Sequence, residues 1–249
     1  MLEKINCYLA RVSIFLIMLA LIAGMVGCGL SSQNVKIRTW YDLDAIRNNL
    51  GGSYLLMNDL DSTTAGYEEL ASLTANGGKG WQPIGTQNDT FTGIFDGQEY
   101  EIRDLFSNRP DENYVGLFGI VYTGGGIEDI GVVNVNVTGN SSVGGLVGVN
   151  LGTVSNSYST GSATGNSSVG GLVGDNSGTV SGSFWDTETS GQATSDGGTG
   201  KNTTEMKDIA TFSGAAWNIT AVALNQTNPS YVWNIVNGVA YPLLSWQPV

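Results

Sequence analysis

The chain has 249 residues, a formal net charge of −12 and no histidine, and glycine occupies 36 positions. The acidic balance excludes a nucleic-acid partner, because such partners are held through clustered lysine and arginine. Without imidazole there are no Ser-His-Asp triads and no His-based zinc sites. Abundant glycine together with valine, threonine, serine and asparagine favours short strands and tight turns over helices.

Residues 1–27 are predicted to be a lipoprotein-type signal peptide. A short basic start precedes an apolar run from Val12 to Gly24, which has the length of a signal-peptide core and is short for a membrane span. The run ends in Met25-Val26-Gly27-Cys28, which resembles a bacterial lipoprotein signal. That resemblance implies cleavage before Cys28 and lipidation of its thiol. An ordinary secretory signal or an uncleaved anchor is the alternative.

Cysteine usage fits export without disulfides. Cys7 lies in the predicted leader and Cys28 would carry the lipid, so the mature chain would have no free thiol for catalysis or metal binding. We therefore expect an exported protein that a lipid anchor holds at the cell membrane or cell surface. Residues 28–35 are predicted to be a linker.

Residues 36–190 are predicted to form a solenoid with a short N-terminal capping helix. Asp42 is the expected N-cap of a helix that runs from Leu43 to Leu50. Leu43, Ile46 and Leu50 would form one apolar stripe across the open end of the core. The first solenoid strand is expected at Leu55–Leu60.

Asn58-Asp59-Leu60-Asp61 places oxygen ligands at alternate positions. Asp59 and Asp61 are therefore candidate calcium ligands, although the segment matches neither an EF-hand nor a nonapeptide calcium repeat. Solvated loop carboxylates are the alternative.

The chain contains an internal repeat. Residues 138–158 and 164–184 are identical at 17 of 21 positions, at a period of 26 residues. Each copy contains Val-Gly-Gly-Leu-Val-Gly as a strand, Asn-x-Gly as a turn and an alternating Thr-Val-Ser-x-Ser-aromatic strand, and a third short strand is expected at residues 162–164. Three short strands and three turns per repeat predict one coil of a right-handed parallel β-helix. With weaker copies upstream, the all-β solenoid would have about five coils.

Stacked coils place equivalent residues about 4.8 Å apart. Val154 would lie over Val180, and Asn150 over Asn176 with an amide–amide hydrogen bond. Tyr158 would stack on the equivalent aromatic residue of the next coil. Strict alternation predicts that Val154, Asn156 and Tyr158 share one face of their strand.

Residues 191–249 are predicted to be a loop and an irregular C-terminal cap. A short helix is expected between Thr203 and Phe212. The segment from Tyr231 to Trp246 is expected to form a hairpin, with Asn237-Gly238 at its turn.

Residues 142–161 and 168–184 resemble the GLUG repeat, named for a Gly-Leu-x-Gly core that appears here as Gly145-Leu146-Val147-Gly148 and Gly171-Leu172-Val173-Gly174. The resemblance implies a bacterial or archaeal surface protein, including adhesin-like chains and the non-catalytic parts of some secreted metallopeptidases. It supplies no catalytic residues, cofactor or metal ligands.

We therefore expect a non-enzymatic surface protein whose partner is a glycan, a matrix polymer or another surface protein. Trp185 and Asp186 are the candidate ligand-facing residues, because exposed aromatic rings can stack on sugars. The alternative is a β-helical polysaccharide hydrolase or lyase that uses paired carboxylates. Its candidate residues are Asp96, Asp104, Asp129, Asp175 and Asp186.

Overall fold

The computed structural model describes residues 34–244. The predicted signal peptide, the lipidation site at Cys28 and most of the linker lie outside the described residues, as do residues 245–249.

Short strands dominate the described chain. In chain order they are β1 Val35–Ile37, β2 Ser53–Leu56, β3 Ile94–Asp96, β4 Glu101–Arg103, β5 Phe106–Asn108, β6 Phe118–Val121, β7 Gly126–Glu128, β8 Gly131–Thr138, β9 Ser141–Gly144, β10 Val147–Asn150, β11 Thr153–Ser155, β12 Tyr158–Thr164, β13 Ser167–Gly170, β14 Val173–Asn176, β15 Thr179–Ser181, β16 Phe184–Asp186, β17 Thr199–Lys201, β18 Ile219–Ala221, β19 Trp233–Ile235 and β20 Leu243–Leu244. The helices have four or five residues each: α1 Trp40–Asp44, α2 Tyr67–Leu70, α3 Ala75–Gly78, α4 Thr187–Ser190 and α5 Ile209–Ser213. Two 3-10 turns span Ala45–Asn48 and Glu205–Lys207.

Strands that are distant in sequence pair to form four parallel sheets. Sheet 1 has the order β1-β2-β3-β7-β11-β15, sheet 2 the order β6-β10-β14, and sheet 4 pairs β9 with β13. Sheet 3 has the order β4-β8-β12-β16-β17, with β5 also paired to β8. Sheet 5 joins β18, β19 and β20, and its last pair is antiparallel. The described chain is therefore mostly β, with a parallel β-helix-like arrangement.

Each 26-residue repeat contributes a strand to four sheets, so the prediction of three strands per repeat is wrong. The strands β6 to β9 visit sheets 2, 1, 3 and 4 in turn, and β10 to β13 follow the same order. The predicted Val-Gly-Gly-Leu-Val-Gly strand is split by a corner at Gly145-Leu146, between β9 and β10. Glycine is needed here, because a Cβ at Gly144 or Gly145 would collide with the Val147 carbonyl or the Ser159 side chain.

The predicted register is confirmed. Val154 pairs with Val180, and Asn150 pairs with Asn176. The Nδ2 of Asn150 donates to the Oδ1 of Asn176 at 2.8 Å, so the stacked amides are hydrogen-bonded as expected. Tyr158 pairs with Phe184 in the same ladder position.

The predicted common face of Val154, Asn156 and Tyr158 is wrong. Asn156 has a φ of 45°, and this left-handed residue turns the chain between β11 and β12. Val154 consequently points into the main core, whereas Tyr158 belongs to a second cluster. Alternation holds within a strand but does not continue through a corner.

Two hydrophobic cores lie on opposite faces of sheet 3. Ile102, Val132 and Trp185 point into the main core, which the four parallel sheets share. Tyr158 and Phe184 point to the other face. There they pack against residues of the C-terminal segment, namely Met206, Phe212, Trp217, Ile219, Trp233 and Ile235. This segment therefore builds a second core on the side of the stack.

The structure at the two ends of the described chain agrees in part with the predictions from the sequence. Helix α1 is capped by Thr39, which accepts from the Asp42 N–H at 3.1 Å, while the Asp42 side chain accepts from the Thr39 N–H at 3.0 Å. Asp42 is thus at the N3 position of a capping box and is not the N-cap. Leu43 and Ile46 are buried as expected. The first strand is β1, which the sequence analysis did not predict, and the C-terminal hairpin is the β19–β20 pair.

Candidate functional site

Trp185 lies inside the molecule. Its side chain is 5% exposed and belongs to the main core. Within β16, Phe184 points outward and Trp185 inward, and the indole occupies the space beside Gly171, where a Cβ would collide with the ring. Such a position does not suit the ligand-facing role expected from the sequence, because the ring is closed off from solvent.

Asp186 is fully buried and acts as a structural connector. Its Oδ1 accepts from the N–H groups of Glu188 at 2.9 Å and Thr189 at 3.1 Å, which caps α4. Its Oδ2 accepts from the hydroxyls of Thr203 and Tyr241, each at 2.7 Å. The carboxylate thus joins β16 to the C-terminal segment, and no part of it faces solvent.

The candidate calcium ligands are engaged by neighbouring groups. The Oδ1 of Asp61 accepts from the N–H of Thr63 at 2.8 Å and from the hydroxyls of Thr63 and Thr64. The Oδ1 of Asp59 accepts from the Glu101 N–H at 2.9 Å. Among residues 34–244, no three His, Cys, Asp or Glu side chains come together in an arrangement that could hold a metal ion.

A polar groove lies beside the corner between β5 and β6. It encloses about 310 Å³ and is lined by Gln82, Pro83, Gly85, Thr86, Gln87, Glu112, Asn113 and Tyr114. Two walls face each other across it: the 82–87 loop and the 112–114 corner. We refer to it as the Tyr114 groove.

The 82–87 loop is held from behind by an arginine. Arg47 donates from Nη1 to the Pro83 carbonyl at 2.6 Å and from Nη2 to the Gln82 carbonyl, and its guanidinium lies 5.0 Å from the Trp81 ring centroid. Ile84 forms a parallel bridge with Phe118, which joins the loop to the edge of sheet 2. The loop backbone is therefore fixed, while Gln82 and Gln87 are exposed.

The opposite wall carries an ionised carboxylate. Glu112 accepts from Nη1 of Arg109 at 3.0 and 3.1 Å and from Nζ of Lys79 at 3.0 Å. Partial burial opposes ionisation, but the hydrogen bonds from Lys79 and Arg109 outweigh it and hold the pKa of Glu112 below its usual range. Arg109 is itself buried and donates from Nε to the Trp81 carbonyl at 2.8 Å, so the same cation ties both walls together.

Tyr114 occupies a corner that recurs in the stack. Val115 bridges to Val143, which pairs with Val169, so Tyr114 is equivalent to Ser142 and Ser168 of the two central repeats. Tyr114, Ser142 and Ser168 all have a left-handed backbone conformation, with φ of 64°, 53° and 49°. A bulky residue rarely adopts this conformation, and such outliers cluster at functional sites.

An amide row runs from the groove along the stack. Asn140 donates from Nδ2 to the Oδ1 of Asn113 at 3.0 Å, and Asn166 donates to the Oδ1 of Asn140 at 2.9 Å. The Oδ1 of Asn113 accepts a hydrogen bond within this row, and this fixes the orientation of the Asn113 amide. The sequence analysis did not select Tyr114, Glu112 or Asn113. The available signal was tyrosine at a position where both central repeats have serine.

Two of the candidate catalytic carboxylates come together elsewhere. Asp96 and Asp129 lie near Glu99 and Glu128, where β3 and β7 end side by side. Burial, followed by repulsion from Asp129 and Asp96, raises the pKa of Glu99 to about 7. Burial also raises the pKa of Asp129, an effect that a hydrogen bond from Asn156 opposes and the charge of Asp96 reinforces. We call this group the acidic corner.

The other carboxylates predicted for catalysis are apart from this corner. Asp104 accepts from Nδ2 of Asn134 at 2.7 Å. Asp175 lies in a second polar groove of about 370 Å³, next to Ser195 and Asp196. There Ser195 accepts from the Val173 N–H at 3.0 Å and Asp196 from the Asn176 N–H at 2.7 Å. These bonds satisfy the outer edge of β14, so this groove belongs to the end of the stack.

Two known proteins are similar to part of the chain. A putative Gly-rich membrane protein from Evansella cellulosilytica is 34% identical over 135 residues, which are 52% of this chain and 15% of that protein. Halomucin from Haloquadratum walsbyi is 31% identical over 140 residues, which are 55% of this chain and 2% of that protein. The chain thus matches a small part of each relative. The name of the first describes it as a membrane protein.

No family model matches the chain, so the GLUG resemblance depends on the repeat residues themselves. No solved structure matches it either. Within the described range, no helix has the length and apolar character needed to cross a membrane.

Proposed function

We propose that the chain is a lipid-anchored, non-enzymatic cell-surface protein that presents a binding site on a right-handed parallel β-helix of about five coils. The Tyr114 groove carries this proposal, because it combines a left-handed tyrosine, oriented amides and an ionised carboxylate on rigid backbone. Among the residues that the structure describes, Glu112 is the one carboxylate that lines it. The groove therefore suits binding better than the two-carboxylate chemistry of glycoside cleavage.

Anchoring is supported by the sequence before the described region. The apolar run and Met25-Val26-Gly27-Cys28 resemble a lipoprotein signal, and one relative is named as a membrane protein. In this arrangement, residues 28–35 link the lipid to β1, residues 36–190 form the helix with its N-terminal cap, and residues 191–249 form the loop and the C-terminal cap. One lipidated cysteine holds the domain at the surface without crossing the bilayer.

The two cysteines of the chain provide a matched test of the anchor. The full chain is expressed in a bacterial host that is fed an alkyne fatty acid, and incorporation is read after coupling to a fluorophore. Labelling is expected in the wild type and in Cys7→Ala, and its loss is expected in Cys28→Ala. Equal labelling of Cys28→Ala and the wild type would overturn the anchor.

Binding and catalysis are separated by two assays on the mature chain. Binding to an array of immobilised oligosaccharides and matrix polymers is expected, with no release of reducing ends or unsaturated products from the polymers bound. Depolymerisation that disappears in an Asp→Asn or Glu→Gln variant would overturn the non-enzymatic proposal. If the chain binds no member of the array and captures no purified surface protein, the binding proposal is overturned.

A polysaccharide hydrolase or lyase is the second candidate, and the acidic corner favours it. A carboxyl with a pKa of about 7 beside carboxylates is the arrangement that a general acid requires at neutral pH. Under this alternative, Glu99→Gln abolishes depolymerisation while Glu112→Gln leaves it unchanged. Under the preferred proposal, no depolymerisation is detected in either variant or in the wild type.

A further inference from the structure

We infer that the Tyr114 groove binds an uncharged saccharide segment of one or two rings. The inference rests on the proposed function, since it names the ligand class for that binding site.

Tyr114 is half-buried and lines the groove, so part of its side chain is available to a ligand. Its backbone has the same left-handed corner as Ser142 and Ser168, and a Cβ at Gly148 would meet the Tyr114 carbonyl carbon at 2.7 Å. The close packing of that corner on the next coil removes backbone freedom. A tyrosine offers a large amphipathic contact area at low entropic cost, and here the strain of its φ is compensated by the surrounding coils.

The two walls offer the hydrogen-bonding groups that hydroxyls need. Gln82 and Gln87 present amides from a loop whose backbone Arg47 fixes. Asn113 has its oxygen engaged by Asn140, which directs its NH₂ group as a donor. Glu112 is an acceptor that Arg109 and Lys79 hold in place. Convergent donors and acceptors on a rigid support, beside one aromatic face, are what a polyhydroxylated ring requires.

The charge of the groove selects against acidic ligands. Glu112 is ionised, because its pKa lies below the usual range, and the whole chain carries −12. Lys79 and Arg109 are both paired with Glu112, and neither lines the groove, so the charge that the lining itself presents is the Glu112 carboxylate. A uronic acid or sulfated sugar would face a like charge at short range.

The volume limits the ligand to a short segment. About 310 Å³ lies at the lower end of the range of roughly 300–1,000 Å³ that is typical of small-molecule sites. The groove is partly open to solvent, so a longer chain could continue beyond the segment that is bound.

The test uses the mature chain and defined probes. Maltose, cellobiose and N,N′-diacetylchitobiose are the neutral probes, and digalacturonate and tetralysine are the charged probes, each titrated by saturation-transfer NMR and calorimetry. Saturable binding of at least one neutral disaccharide is expected, with none of digalacturonate. Tyr114→Ser introduces the residue found at the equivalent corners, so it keeps the backbone preference and removes the ring. This substitution should weaken the binding of the neutral disaccharide roughly tenfold or more.

Tyr122→Ser is the matched control, because Tyr122 is 48% exposed and does not line the groove. The affinity of Tyr122→Ser for the neutral disaccharide should equal that of the wild type. Both variants should keep the wild-type melting temperature within a few degrees. If array polymers bind the wild type and Tyr114→Ser equally, the groove is overturned while the proposed function stands. If digalacturonate or tetralysine binds in a Tyr114-dependent way and no neutral sugar does, the ligand class is overturned.

Discussion

The hydroxyl of Tyr158 donates a hydrogen bond to the Oε1 of Glu101, a residue 57 positions earlier in the chain. The two belong to one column of sheet 3, in which Glu101 pairs with Gly131 and Gly131 with Tyr158. Gly131 leaves the space through which the ring reaches the carboxyl. Both side chains are buried, and the same hydroxyl lies 3.1 Å from the Pro242 carbonyl. One contact thus links two coils and the C-terminal segment.

Stability should rise as the pH falls through the neutral range. Burial raises the pKa of Glu101 from 4.5 to about 7. The charge of Arg103 and the hydrogen bond from Tyr158 lower this pKa, but their effect is smaller than that of burial. Because the folded pKa lies above the unfolded one, the stabilisation is fully present below about pH 4.5 and is lost as the pH rises through about 7. Denaturant unfolding between pH 4.5 and 8 should show a decrease of up to about 3 kcal/mol.

Glu101→Gln is the variant that isolates this effect. The amide oxygen can still accept from Tyr158, but the side chain no longer titrates. Its unfolding free energy should depend less on pH than that of the wild type. Glu99→Gln serves as the comparison, because Glu99 also has a pKa of about 7 and contributes with the same sign. A wild type whose stability increases from pH 5 to pH 8 would contradict both assignments.

Gly131→Ala should destabilise the protein through overpacking. The added Cβ would lie 2.7 Å from the Tyr158 ring, so the ring must move away from Glu101. A cost of about 1–3 kcal/mol is expected. Gly51→Ala is the control, because its Cβ would meet only the Thr92 hydroxyl, at an ordinary 3.5 Å. Equal melting temperatures for Gly131→Ala and the wild type would show that the ring position is wrong.

Two amide pairs with the same spacing should respond differently to alanine. Asn150 is fully buried, donates to Asn176 and accepts from the Gly152 N–H at 3.1 Å. Asn150→Ala leaves these groups without partners, so a loss of about 1–3 kcal/mol is expected. Asn166 makes the same kind of bond to Asn140 at the exposed surface, and Asn166→Ala should change stability by less than about 0.5 kcal/mol. Thermal and denaturant unfolding of the two variants provides the comparison.

Asp186→Asn should release the C-terminal segment locally. The amide can keep the cap on α4 through its oxygen, but its nitrogen cannot accept from Thr203 and Tyr241. Hydrogen exchange should therefore quicken in β19 and around Tyr241, while β10 and β14 keep their protection. Asp208→Asn is the matched control, since Asp208 caps α5 at the surface and asparagine caps as well. Uniform exchange changes in both variants would contradict the connecting role of Asp186.

The 26-residue repeat is enough to predict the register of the stack. Because equivalent residues recur every 26 positions, the pairs Val154 with Val180 and Asn150 with Asn176 follow from matching like residues in parallel strands. The buried stripe of Leu43 and Ile46 also followed from local periodicity. These features depend on contacts between neighbours in a regular pattern, which periodicity records directly.

The direction in which side chains face beyond each corner depends on how the chain turns in the folded protein. Left-handed residues such as Asn156 and Tyr114 turn the chain, and the alternation that places a side chain restarts after each turn. Trp185 is therefore buried and Tyr158 lies outside the main core. Strict alternation carried through the corners would not predict these positions. The Tyr114 groove has the same origin. Its walls, at residues 82–87 and 112–114, are joined through the buried Arg109. They lie outside the 26-residue repeat that predicts contacts between coils, so no pattern in the sequence records that they meet.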